Sequence, residues 1–153
     1  MAIRKILTDK DEALHKVCRP VEKFDARLAQ LLDDMHETLK KAQGVGLAAP
    51  QVGICRRIFI MHLDNDDIVE AINPEITLKE GKQRVEEGCL SCPNVWGFVT
   101  RPAHCRLKAQ DRNGNWWERD FTELGAQCTA HEYDHLDGHV FTEIVEEFFV
   151  PEG

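Results

Sequence analysis

The pattern of apolar and polar positions divides the chain into three stretches. Between residues 25 and 43, Leu28, Leu31, Leu32, Met35 and Leu39 recur at helical spacing. This predicts an amphipathic helix with Asp25 as N-cap and Gly44 as its stop. From about residue 56 to residue 121 the period shortens. Residues 57–62 and 67–72 are β-rich, Asn73-Pro74 marks a break, and a further strand can run over 75–79. Residues 104–111 and 115–121 flank Arg112-Asn113-Gly114, and an Asn-Gly pair between two β-like runs predicts a hairpin. From 122 to 137 the helical period returns. Leu124, Cys128, His131 and His135 share one stripe, and Gly138 fits a C-terminal cap. The order of helix, antiparallel strands and helix predicts an α+β fold, with the last helix packed on the sheet. With no internal repeat or Pro/Gly-rich linker, residues 1–153 are expected to form a single domain.

Composition narrows the function classes. Formal net charge is −8, and no basic run is longer than Arg56-Arg57 or Lys40-Lys41. Such a chain is a poor candidate for nucleic-acid binding, which relies on Lys and Arg neutralising phosphates. Apolar runs such as Ile58-Phe59-Ile60-Met61 are too short to span a bilayer, and the first ten residues lack a signal-peptide core. The expectation is an unexported, cytoplasmic protein with no membrane partner. Its six cysteines, Cys18, Cys55, Cys89, Cys92, Cys105 and Cys128, are then expected as free thiols, mostly small buried residues with at least one ligand or nucleophile among them. Glu143, Glu146, Glu147 and Glu152 read as a solvated acidic end.

The sharpest chemical signal is His131-Glu132-Tyr133-Asp134-His135. Two histidines four apart on a helix lie on one face, one turn above the other, so both rings can reach one metal ion. Glu132 is placed to take a proton from water at that metal. Because His131 and His135 continue the apolar stripe, they need partners inside the protein, and a shared metal supplies them. A catalytic site usually has three protein ligands and one open position. In one downstream pattern the third histidine would stand where this chain has Phe141, and His139 comes two residues early. A downstream Glu from another helix has little room. The best upstream candidate is Cys89 in Glu86-Glu87-Gly88-Cys89-Leu90-Ser91-Cys92-Pro93, since a thiolate is a strong ligand for a borderline-soft metal. Cys89 and Cys92 also form a Cys-x-x-Cys pair. The rival readings of that pair are a structural zinc site or a redox pair.

Three segments stand together: Gly44-Val45-Gly46-Leu47-Ala48-Ala49-Pro50-Gln51, Glu87-Gly88-Cys89-Leu90-Ser91 and His131-Glu132-Tyr133-Asp134-His135. In order and spacing they resemble the signature motifs of peptide deformylases. Arg19-Pro20-Val21 and His135-Leu136-Asp137-Gly138 resemble that family too. The resemblance implies an α+β hydrolase, with antiparallel sheets packed around the metal-binding helix, that removes the formyl group from the N-terminal formylmethionine of nascent polypeptides. It implies Cys89, His131 and His135 as metal ligands and Glu132 as general acid/base. Gln51 and the backbone N–H of Leu90 would hold the developing oxyanion. It also implies one divalent ion, natively Fe²⁺, with Zn²⁺, Ni²⁺ or Co²⁺ as substitutes. Val45, Leu90, Cys128 and the ring face of His131 are candidate walls of a methionine pocket. Gly44-Val45-Gly46, Gly46 above all, would let substrate backbone lie close as an added strand. Glu87 and Arg101 are expected to form a buried ion pair steadying the Cys89 loop.

Two features depart from the family pattern. Family members often have an aliphatic residue where Cys92 stands and Gly where Asn94 stands, both near the substrate entrance that Trp96 could line. Many bacterial members also continue into a basic C-terminal helix implicated in ribosome docking, whereas residues 146–153 are short and acidic. Transient ribosome proximity is expected without such a helix. Two rival functions remain at this point: another metal-dependent amidase or peptidase on the same scaffold, and a non-enzymatic metal-binding protein.

Overall fold

A computed structural model of the protein describes residues 2–150. Its order is α1 (Ala26–Ala42), β1 (Gly46–Ala48), β2 (Ile58–Leu63), β3 (Asp67–Glu80), β4 (Gln83–Cys89), β5 (Cys92–Arg101), β6 (His104–Gln110), β7 (Trp116–Thr122), α2 (Glu123–Leu136) and β8 (Glu147–Phe149). The strands form two antiparallel sheets, one in the order β1-β2-β3-β6-β7 and the other β4-β5-β8. The α+β expectation holds, with the histidine-bearing helix packed on sheet.

Strand β2 shows why the larger sheet forms a layer between the two helices. It is apolar at successive positions because both faces are covered. Ile58 and Ile60 join Leu28, Leu31, Leu32, Met35 and Leu39 of α1 in one cluster. Phe59 and Met61 point the other way, clustering with Ala126, Cys128 and Leu136 of α2 and with Leu107 and Phe121 of the sheet. The side chain of Asp25 caps α1 by accepting from the Leu28 N–H at 3.1 Å.

Several boundaries differ from the sequence pattern. Gln43, not Gly44, takes the left-handed conformation ending α1, with φ of 56°. Gly44 is needed for space, since a Cβ there would lie 2.9 Å from Leu39 and Leu90 side-chain atoms. Asn73-Pro74 does not end a strand. It forms a bulge inside β3, where Asn73 sits at φ 50° and its side chain pairs with Val21 and Gln110. That pairing replaces ladder contacts that Pro74 cannot make. The predicted hairpin joins β6 to β7, with Gly114 at φ 86°. Asn113 is not left-handed; Asp111 closes the loop by accepting from the backbone N–H groups of Asn113 and Asn115. At the end of α2, Gly138 is doubly constrained. Its φ is 79°, and a Cβ would lie 2.8 Å from the His15 carbonyl carbon.

The second sheet carries the rest of the site. Its β4–β5 hairpin turns at Leu90-Ser91, directly after Cys89. The acidic stretch near the end is exposed yet docked. β8 pairs with β5, and Arg84 bonds both Glu146 and Glu147. Residues 151–153, including Glu152, lie outside the described residues. Among the described residues no helix is long and apolar enough to cross a membrane.

Candidate metal centre

Helix α2 lies between the two sheets, and its buried face presents His131, Glu132 and His135 toward the β4–β5 turn. Cys89, at the end of β4, meets them. One potential ligand atom from each of Cys89, His131 and His135 lies within 4.8 Å of the others. Cys89 Sγ is 3.4 Å from His135 Nε2. Ligand bonds of about 2.0–2.3 Å in tetrahedral array place ligand atoms roughly 3.3–3.8 Å apart, so this pair already has the spacing that a shared ion requires.

The side chains behind the cluster fix its orientation. Glu87 Oε2 accepts from His131 Nδ1 at 2.7 Å, which turns the other ring nitrogen, Nε2, to the cluster. Arg101 grips the same carboxylate through Nε at 3.1 Å and Nη2 at 2.5 Å, and reaches Asp134 on α2 at 2.8 Å. Burial opposes the Glu87 charge, but His131 and Arg101 outweigh it and hold the carboxyl down at about 2. The predicted Glu87–Arg101 pair is therefore present and buried. What the sequence did not reveal is that His131 and Asp134 complete it.

The electrostatics suit a cation. Burial drives His135 well below its usual value, so it is a neutral imidazole able to donate a lone pair. Burial also raises the Glu132 carboxyl to about 7, where it can gain and lose a proton near neutrality. Glu132 Oε1 and His135 Nδ1 are buried without hydrogen-bond partners among the described residues. The Cys92 thiol and burial raise Cys89. The Ser91 backbone N–H and Gln51 Nε2, the latter at 3.7 Å, contact its sulfur and favour the thiolate. A thiolate, two imidazoles and an uncompensated buried carboxylate oxygen fit a divalent ion.

A cavity of about 540 Å³ opens beside this cluster. Val45, Gly46, Leu90, Cys128, His131 and Glu132 all line it, as do Gln51 and Cys89. Leu124 does not continue the buried stripe of α2; in the first turn of the helix, it is half-exposed and lines the cavity. Trp96, also partly exposed, lines the same cavity. Gly46 lies against the chemistry: a Cβ there would be 2.5 Å from Glu132 Oε2 and 2.7 Å from Cys128 Sγ. Gln51 is buried and firmly held. Its Oε1 accepts from the Ala48 N–H at 2.9 Å and its Nε2 donates to Ser91 Oγ at 3.0 Å. The N-terminal segment braces both partners, with Leu7 N–H donating to the Gln51 carbonyl and Asp9 N–H to that of Ser91.

Two antiparallel sheets around such a helix thus bring a Cys–His–His cluster able to hold a metal ion to the edge of an open cavity. The family described as Polypeptide deformylase matches residues 3–148. The peptide deformylase of Caldicellulosiruptor bescii is 50% identical over 148 residues, covering 97% of this chain and 89% of its own. That of Chromobacterium violaceum is 48% identical, covering 94% and 87%. The crystal structure of peptide deformylase from Thermotoga maritima superposes with a TM-score of 0.93 at 36% identity, covering 95% of this chain and 99% of that one. This chain belongs to the peptide deformylase family, metal-dependent hydrolases that remove the N-formyl group from nascent peptides.

Proposed function

We propose that Cys89, His131 and His135 hold the ion, natively Fe²⁺, and that Glu132, Gln51 and Leu90 carry the chemistry on formyl-Met N-termini. The observation that carries this reading is the approach of three ligand atoms within 4.8 Å of one another, beside a cavity that Glu132 also lines. A thiolate beside two imidazoles suits Fe²⁺, and Zn²⁺, Ni²⁺ or Co²⁺ fit the same donors.

When bound, the divalent ion lowers the pKa of water and polarises the formyl carbonyl. Glu132 then takes the water's proton and passes it to the leaving amine. Its acidity near neutrality suits both directions of transfer. Gln51 Nε2 and the Leu90 N–H donate to the oxygen on which charge develops. The Nε2 contact to Cys89 is long, so that N–H is the one that turns to substrate. Val45, Leu90, Cys128 and the face of His131 form apolar walls for the methionine side chain. β1 and β4 are both edge strands bordering the cavity, so an extended peptide can pair along either, with Gly46 allowing close approach.

The proposal extends to the setting: one catalytic domain over residues 1–153, working in the cytoplasm and meeting nascent chains near the ribosome. The test is formate release from a formyl-Met tripeptide, assayed anaerobically with Fe²⁺ or Ni²⁺ protein beside Cys89→Ala. Release should vanish in the variant together with bound metal. Folded, metal-loaded wild type that releases no formate would overturn the reading.

A further inference from the structure

Cys92 is a residue that the deformylation chemistry does not use. It lies three positions after Cys89, across the tight turn at Leu90-Ser91, and the two are direct cross-strand partners in the β4–β5 ladder. Directly opposed residues on antiparallel strands put their side chains on one face, with Cα atoms about 4.5–5.5 Å apart. That lies inside the roughly 4.4–6.8 Å range of disulfides. The two thiols face each other across the turn, both line the cavity, and both are free. Behind them Val85, Val95, Val99, Phe141 and Val145 form a small apolar cluster. Cys89 is the partly buried member and Cys92 the fully buried one, so an oxidant entering from the cavity meets Cys89 first.

We propose that Cys89 and Cys92 form a reversible oxidative modification site, in which Cys92 is the resolving thiol for Cys89 under attack by small hydroperoxides. The Cys89 thiolate attacks a peroxide oxygen. The S–O bond forms, the O–O bond breaks, and Cys89 becomes a sulfenic acid as water leaves. Cys92 then attacks the Cys89 sulfur. The S–S bond forms, the S–O bond breaks, and a second water leaves. Two thiols and one hydrogen peroxide thus give one disulfide and two waters. Without the neighbour, a sulfenic acid proceeds to sulfinic and sulfonic acids, which thiol reductants do not reverse. Closing the disulfide also takes the Cys89 sulfur away from any ion it holds; that second consequence rests on the ligand assignment above.

A rival pair exists. Cys18 and Cys55 both belong to the core region behind the larger sheet, but neither lines the cavity through which a small oxidant reaches Cys89.

The sequence makes the test direct. Tryptic cleavage after Arg84 and Arg106, with the Arg101 bond protected by Pro102, releases residues 85–106, which contain Cys89, Cys92 and Cys105 and no other cysteine. Metal-loaded protein is treated with equimolar hydrogen peroxide, its free thiols are alkylated, and this peptide is weighed while released metal is titrated with a chromophoric chelator. The expected product is a peptide two hydrogens lighter and alkylated only at Cys105, restored by dithiothreitol, with Cys92→Ser giving irreversible sulfinic or sulfonic acid at Cys89 instead. Over-oxidised Cys89 in the wild-type peptide, or oxidation confined to Cys18 and Cys55, overturns the proposal, and the wild-type peptide decides this even if the variant fails to fold. Disulfide formation with no metal release supports the thiol pair and speaks against Cys89 as a ligand.

Discussion

Two glutamates in this protein have nearly the same surroundings and different consequences. Glu87 accepts from His131 Nδ1 at 2.7 Å and from Arg101 at 3.1 and 2.5 Å. Glu70, on β3, accepts from His36 Nε2 at 2.7 Å and from Arg112 at 3.1 and 2.7 Å. For each, burial opposes the charge, yet the His and Arg partners hold the carboxyl at about 2. The difference lies beyond the histidine. The far side of His131 faces Cys89, His135 and a cavity, whereas the far nitrogen of His36 meets only His62, at 2.8 Å and in stacked geometry. A carboxylate–histidine–arginine set is thus an orienting device in both places. It becomes part of a metal centre only where two more ligands and an open space converge on the same ring.

Substitutions should separate the two networks. Removing a ligand has the largest expected effect: Cys89→Ala should lose the metal and nearly all formate release, read by elemental analysis alongside turnover. Gly46→Ala comes next. The new methyl must displace the Glu132 carboxylate or Cys128, so turnover should fall roughly 10-fold or more with metal retained, because a general base contributes about 10²–10⁴-fold only when well placed. Unchanged kinetics would show that Glu132 is free to move. Glu87→Gln should weaken metal binding about 10–100-fold by leaving His131 less firmly turned. It should also destabilise the fold by about 3–5 kcal/mol, since Arg101 keeps only Asp134 as a charge partner. Chelator competition and urea unfolding report the two effects separately.

Glu70→Gln is the smallest change and the control. The site is partly exposed, so the expected cost is about 1 kcal/mol of stability at neutral pH, with metal content and turnover unaltered. The loss should depend on pH in one direction. The folded-state value lies below the ordinary glutamate value of 4.5, so the native ion pairs contribute fully above 4.5 and fade as pH falls from there toward 2. The wild-type advantage over Glu70→Gln should therefore hold steady down to about pH 4.5 and shrink as pH falls from there toward 2. An advantage that grows on acidification would contradict the ion-pair account.

Sequence reading was strong where one element carries its own signal. The α1 stripe, the 104–121 hairpin and the His-Glu-x-x-His helix are local patterns, and the structure contains all three. It was weak where partners are far apart. β4 reads Gln-Arg-Val-Glu-Glu-Gly-Cys, with little apolar alternation, because Glu87 is buried by pairing with Arg101 rather than by being apolar. The pattern therefore predicts no strands for the second sheet, and the β3 bulge reads as a break because Pro74 normally stops a ladder. Nothing local links His36, His62, Glu70 and Arg112, which come from α1, β2, β3 and the 111–115 loop. In the sequence Cys89 is singled out only by elimination and by resemblance; the fold shows its sulfur 3.4 Å from His135 Nε2.

The central claim is that Glu132 works as a base beside an ion that it does not ligate. The most direct measurement is metal content and formate release in Glu132→Ala, reconstituted anaerobically. The account predicts full metal occupancy with turnover reduced by about 10²–10⁴-fold. Near-wild-type turnover, or loss of the metal together with activity, would contradict it.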